Sequence, residues 1–295
     1  MHAAARDPQE RARPTEADEL LRDGQDRRGG RAPSPHGPAL VGPPDILERV
    51  IGTDVAVLLG LAAATFVGAL AQRSTGMGFA LLASPFLVLV LGPLQGILVV
   101  NVCGALSALL NLTQVRRDVD RKRLRVLAPM GVIGVIPGAI AVAVLPAASL
   151  MIAVSTIVLL GLLLTLAMRG RTVPDSPGLG VAGGLASGFM NVTAGVGGPG
   201  VVIYARATGW EHRGFAATAQ VQFMILSIVS LMAKRALPTL SATGWTVLIA
   251  ALLLGVIAGG RVSRRVDGES AMRIVLVVAL AGALMALVRG VLLLV

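Results

Sequence analysis

The stretch Gln72-Arg73-Ser74-Thr75-Gly76-Met77-Gly78-Phe79 interrupts an otherwise apolar region with an amide, a cation, two hydroxyls and two glycines. A second interruption, Asn191-Val192-Thr193-Ala194-Gly195-Val196-Gly197-Gly198-Pro199, follows in the second half of the chain. Glycine opens backbone conformations closed to other residues, and proline suits the first turn of a new helix. The second interruption therefore predicts a helix that stops near Met190 and another that starts near Pro199. Non-helical backbone at membrane depth survives only inside protein or beside a water-filled cavity. A restarted helix offers free N–H groups and a partial positive charge, which suits an oxyanion. Close helix packing through small residues is the competing explanation for one glycine cluster. Two clusters at matching positions, flanked by Arg73, Ser74, Thr75, Asn191 and Thr193, favour a binding site.

The surrounding chain fixes the class. Hydrophobic residues make up 55% of the 295 and charged residues 14%, too few to coat a soluble protein of this size. Apolar runs long enough to cross a bilayer predict helices at roughly 54–72, 93–113, 124–145, 148–168, 214–234, 242–261 and 272–294, with the broken segment at 179–208. The expected fold is an all-α integral membrane protein with about 7–8 spans. The net charge of +10 then belongs to arginines flanking the spans at a lipid surface, and a nucleic-acid partner is excluded for want of a soluble basic domain. The bilayer and a small anion are the expected partners, with self-association left open. Residues 1–45 are rich in Arg, Pro, Gly and acids, and are expected to be a disordered tail.

The halves repeat. Gly134-Val135-Ile136-Pro137-Gly138 aligns with Gly255-Val256-Ile257-Ala258-Gly259, and Ser149-Leu150-Met151 with Ser270-Ala271-Met272. Thr75-Gly76-Met77-Gly78 falls beside Ala194-Gly195-Val196-Gly197 at a slightly shorter offset. Three matches in one order indicate internal duplication, as in many transporters. The expected organisation is membrane repeat 1 over 46–173 and repeat 2 over 174–295, each a glycine-broken helix plus three transmembrane helices.

The interruptions also carry a resemblance. Gln72-Arg73-x-x-Gly76-x-Gly78-Phe79 followed by Pro85, with Gly195-x-Gly197-Gly198-Pro199, resembles the TauE/SafE family of sulfite exporters over residues 50–295. The commoner first motif of that family has three glycines in a row before a proline, where this chain has Gly78-Phe79-Ala80. Membership implies seven or eight spans in two related halves, and transport of sulfite, sulfonates or related organosulfur anions.

Arg73 is the one charge expected well inside the apolar part, and the acidic residues fall outside the spans. A buried cation without an acid calls for an anion, and the planar guanidinium fork suits sulfite or sulfonate. Ser74, Thr75 and Thr193 are expected to add hydroxyl donors, with Asn191 bracing the broken backbone. The candidate substrate-binding set is Arg73, Ser74, Thr75, Gly76, Gly78, Asn101, Asn191, Thr193, Gly195, Gly197, Gly198, Pro199 and Gln220. Asn101 and Gln220 are left between pathway and packing, while Asn111 and Gln222 are expected to join helices and Arg289 to snorkel. Cys103, the single cysteine, reads as a small buried hydrophobe. No phosphate loop, zinc motif or hydrolase elbow occurs, so neither an enzyme nor a cofactor or metal site is expected. A negative-inside potential drives an anion outward by about 2.3 kcal/mol per charge per 100 mV, so export needs no proton-carrying acid. A membrane assembly partner and a permease for an unrelated solute are the alternatives.

Orientation depends on 179–208. The cations Arg116, Arg117, Arg121, Lys122, Arg123 and Arg125 mark a cytoplasmic connection. A single crossing at 179–208 gives eight spans but places Arg261, Arg264, Arg265 and Arg273 outside. A re-entrant hairpin puts them inside and makes the repeats inverted. Both routes stay open, with the balance slightly toward eight spans.

Overall fold

A computed structural model describes residues 55–76, 79–167, 173–263 and 268–293. The expected disordered tail, Gly78, Arg264 and Arg265 lie outside the described residues. Ten α-helices and one 3-10 turn make up the described chain, in keeping with the all-α membrane fold. Among the described residues, six helices are long and apolar enough to cross a membrane. The first half has α1 (Val55–Thr75), α2 (Phe79–Leu91), α3 (Pro93–Val115), α4 (Arg121–Val144) and α5 (Ala147–Ala167). The second has α6 (Pro177–Ala194), α7 (Gly198–Ala207), α8 (His212–Lys234), α9 (Ala242–Val262) and α10 (Gly268–Leu292). The two halves thus repeat one order: a long helix, a break, a short helix, then three long helices.

The sequence reading omitted α2 and ended α6 early. Helix α6 continues through Asn191–Ala194, four residues past Met190, because the first residue in a left-handed conformation is Gly195 (φ 72°). Helix α2 carries Pro85 within it and is only 13 residues long.

Contacts show that each break is the tip of a hairpin. Gly60 faces Val90 while Gly68 faces Phe79 and Ala83, so α2 runs back along α1. Likewise Gly180 and Gly183 face Tyr204, and Ser187 donates to the Gly197 carbonyl at 2.7 Å, so α7 returns along α6. This selects the hairpin over the single crossing of 179–208. Each half returns to its starting face and then crosses three times, which makes the repeats inverted.

The connections confirm the two faces. On one, Arg213 pairs with Asp118 at 2.9 Å, and Arg123 pairs with Asp175 at 3.0 Å and donates to Thr208 at 3.2 Å. The Arg123 guanidinium also stacks over the rings of Trp210 and Tyr204. The α3–α4, α5–α6 and α7–α8 connections therefore meet on this arginine-rich face. On the opposite face Thr239 donates to Gln95, and Arg289 donates to the Leu89 carbonyl. Arg289, expected to snorkel, is exposed at that end of α10 and bonded to protein.

The halves interlock rather than stand side by side. Helix α4 lies along α6 of the other half, and α9 lies along α1. The contacts run through the repeated glycines: a Cβ at Gly134 would sit 2.2 Å from the Leu185 carbonyl oxygen, and one at Gly255 2.4 Å from that of Phe66. At Gly188 the clearance vanishes, with a Cβ falling 1.8 Å from the Gly131 oxygen. Small residues allow this backbone approach, which drives association where lipid offers no hydrophobic gain. Around the pseudo-twofold, α3 also packs on α8 and α5 on α10.

Gly188→Ala should therefore destabilise the fold by about 3 kcal/mol, the upper range for overpacking. Gly178→Ala, with nothing within 4 Å, serves as the neutral control. Thermal unfolding in detergent reads both; equal midpoints would contradict the interlocked packing.

Candidate functional site

The two hairpin tips share one backbone device. Gly76 (φ 78°) and Gly195 (φ 72°) both adopt the left-handed conformation that ends a helix. The Gly76 N–H donates to the Gln72 carbonyl at 2.9 Å, and the Gly195 N–H to the Asn191 carbonyl at 2.7 Å. Gln72 and Asn191, each one turn before its glycine, thereby occupy equivalent places.

Both amides reach the same cavity, which has a volume of about 30 Å³. Since one water needs at least about 10–15 Å³, there is room for roughly two. The first hairpin contributes Gln72, Phe79, Ala80 and Leu81 to the wall, and the second contributes Asn191, Gly195, Gly197 and Gly198. Val100 and Gly104 of α3, with Phe223 and Ser227 of α8, close it. These four lie near the middles of their helices, so the cavity sits about midway between the two faces. Gln72 is 2% exposed and Asn191 3%.

Hydrogen bonds hold the two amides in place. The Gln72 amide NH2 donates to Gln220 Oε1 at 2.7 Å, and Gln220 Nε2 donates to the Gly76 carbonyl at 2.7 Å. Ser230 donates to Asn191 Oδ1 at 2.7 Å. Lys234, one turn beyond Ser230 on the same side of α8, has its amine buried without a hydrogen-bond partner. The Oε1 of Gln72 is likewise buried and unpartnered.

The expected residues divide. Asn191, Gly195, Gly197 and Gly198 line the cavity. Gln220 stands behind Gln72, Gly76 shapes the tip, and Pro199 packs against Gly161. Arg73 is not among the lining residues, nor is it at mid-depth. Its guanidinium donates to Gln114, and its stem packs on Gly259 near the arginine-rich end of α9. The reason is length: α1 runs for 21 residues before it breaks, so Arg73 has almost crossed.

The hydroxyls face inward to their own helices. Ser74 donates to the Leu70 carbonyl at 2.9 Å, Thr75 to that of Ala71 at 2.8 Å, and Thr193 to that of Phe189 at 2.7 Å. Their protons are engaged in this conformation. Asn101 donates to the Ile97 carbonyl at 3.0 Å, within its own helix, and is not among the lining residues. Asn111 does the same to Ser107 instead of joining helices, whereas Gln222 does join them, donating to Leu127 of α4 at 3.0 Å. Gln72, Phe79, Phe223, Ser227 and Ser230 were absent from the expected set. For Gln72 a signal was present, since Gln72 precedes Gly76 by the same spacing as Asn191 precedes Gly195.

A family model described as Sulfite exporter TauE/SafE matches residues 60–287. No curated protein and no solved structure matches the chain.

Gly195→Ala should cost about 1–2 kcal/mol for the left-handed backbone, with a further loss because the new Cβ meets Val100 at 2.8 Å. Gly178→Ala, in ordinary helix with nothing within 4 Å, is the reference. A clear fall in unfolding temperature at Gly195 and none at Gly178 is expected; equal midpoints would remove backbone and packing as constraints on the tip.

Proposed function

The chain belongs to the sulfite exporter TauE/SafE family, and from that premise we propose that it exports a small anion such as sulfite or an organosulfonate, bound between the two glycine-broken hairpins. The observation that carries this reading is the cavity flanked by Gln72 and Asn191, one amide from each inverted half. Inverted repeats with a midplane site between broken helices suit alternating access, in which one half rocks against the other around a fixed site. The cavity's room for roughly two waters fits an occluded form that must widen for entry.

Cations stand to either side of the cavity. Arg73 lies toward the arginine-rich face, and Lys234 lies one turn beyond Ser230 toward the other. By the excess of Lys and Arg, the arginine-rich face is the cytoplasmic one, and the plasma membrane is the one an exporter of this family would serve. Arg73, bonded to Gln114, then gathers anions at the inner mouth. Asn191 holds the substrate in the cavity, with Gly195, Gly197 and Gly198 letting backbone approach it. Ser74, Thr75, Thr193, Asn101 and Gln220 support the hairpins and their helices. The membrane potential supplies about 2.3 kcal/mol per exported charge per 100 mV.

Purified protein in liposomes, loaded with sulfite or a small sulfonate panel under an imposed potential, tests the reading. Saturable efflux is expected. Arg73→Ala should raise the half-saturating concentration about tenfold, or about 1.4 kcal/mol, with Arg73→Lys recovering much of it. Asn191→Leu should reduce efflux about 10- to 100-fold, as for a lost hydrogen bond to a charged group. No efflux from folded wild type would shift the reading to a membrane assembly partner.

A further inference from the structure

Many glycines inside these helices are demanded by packing. A Cβ at Gly96 of α3 would lie 2.7 Å from the Val88 backbone, and Gly134, Gly188 and Gly255 leave less room still. Gly104, about two turns further along α3, is different. A Cβ there would rest 3.7 Å from the Phe79 ring and 3.7 Å from Ser227 Oγ, ordinary van der Waals contact with both. Glycine within a helix is less stable than alanine, so one that packing does not need calls for another reason.

The duplication shows that this place in the fold tolerates bulk. The spacing that carries Gly76 onto Gly195 also carries Phe79 onto Gly198 and Gly104 onto Phe223. All four of Phe79, Gly104, Gly198 and Phe223 line the cavity. Each repeat therefore brings to it one phenyl ring and one glycine, with the roles exchanged between the hairpin and the helix that follows. The Phe223 ring in turn lies 3.9 Å from where a Cβ of Gly198 would stand. Helix geometry thus does not require the glycine at 104, and what it leaves is space.

That space is faced by a free donor. Ser227 is 3% exposed, and it is the one hydroxyl in the cavity wall among the described residues. Helical hydroxyls commonly return to a carbonyl one turn back, as those of Ser74, Thr75 and Thr193 do. Among the described residues the Ser227 hydroxyl has no hydrogen-bond partner. Its oxygen is also not among the fully enclosed polar atoms, unlike the Oε1 of Gln72. A buried hydroxyl calls for a partner. About one turn further along α8, Ser230 holds Asn191, so both polar contacts belong to one side of the cavity.

We infer that Gly104 and Ser227 are the specificity-determining pair of the cavity. The missing side chain at Gly104 keeps open the volume in which a substrate oxygen meets the Ser227 hydroxyl. This rests on the transport reading above and names the residues that set which anions pass. Ser227 supplies one O–H donor, and Gly104 limits the bulk that accompanies the oxygen. Sulfite needs chiefly the hydroxyl, whereas a sulfonate, with a carbon group on sulfur, needs the extra volume as well.

The full chain in liposomes tests the pair, through half-saturating concentrations for sulfite and methanesulfonate read beside unfolding temperatures in detergent. Gly104→Ala should keep or raise the unfolding temperature, since helix propensity is gained without a clash. It should raise the half-saturating concentration at least tenfold for methanesulfonate and less for sulfite. Ser227→Ala should raise both at least tenfold, as for a lost hydrogen bond to a charged group, with an unchanged unfolding temperature. A lower unfolding temperature in either variant would make that residue a packing residue and overturn the inference. Unchanged half-saturation in both variants would also overturn it, with the transport reading intact. The same holds for a wild type that carries sulfite but rejects methanesulfonate, since no spare volume would then exist at Gly104. Saturable flux of neither anion from folded wild type would overturn both.

Discussion

Backbone-to-backbone approach through glycine is the interaction on which this structure depends. Side chains cannot enter the seam where Gly188 meets Gly131, or where Gly255 and Gly259 meet α1. In a bilayer the lipid is as apolar as leucine, so helices gain from close dispersion contact and not from hiding apolar surface. Because each seam joins a helix of one half to the hairpin of the other, the same contacts hold the repeats together and position both hairpins. The Gly134–Gly138 and Gly255–Gly259 segments, first evident as signs of duplication, are these seams.

The hairpins impose the next constraint. A helix that turns back inside a membrane must satisfy its carbonyls without water. Gly76 and Gly195 achieve this in left-handed conformation, returning their N–H groups to the carbonyls of Gln72 and Asn191. The cap thus ties each amide to its tip, and inversion of the repeats turns two separate caps into two walls of one cavity. On the arginine-rich face, Arg123 joins connections from both halves through Asp175, Thr208 and the ring of Trp210.

Much of this was legible in residue order. Apolar runs located α3, α4, α5, α8 and α9 to within a few residues, since length and hydropathy alone decide whether a helix can span. The glycine motifs located both tips. Short helix α2 was missed because an apolar run does not announce a reversal of direction. Arg73 drew attention as a rare charge in an apolar region, yet that property is blind to depth, and α1 carries it toward the arginine-rich face. Gln72 lay one position away and lacked a charge to mark it.

The sequence by itself determined an all-helical membrane protein, its internal duplication, its two glycine breaks and its family resemblance. The first three follow from composition, periodicity and spacing, and the resemblance from the residues of the two motifs, all of them properties of local chain. Only the tertiary structure decided that both breaks are hairpins, that the repeats are inverted, and that Gln72 and Asn191 share a cavity from which Arg73 is absent. Whether a broken helix crosses or returns depends on what packs beside it. Here the packing partners lie in the opposite half of the chain, where no local pattern can report them.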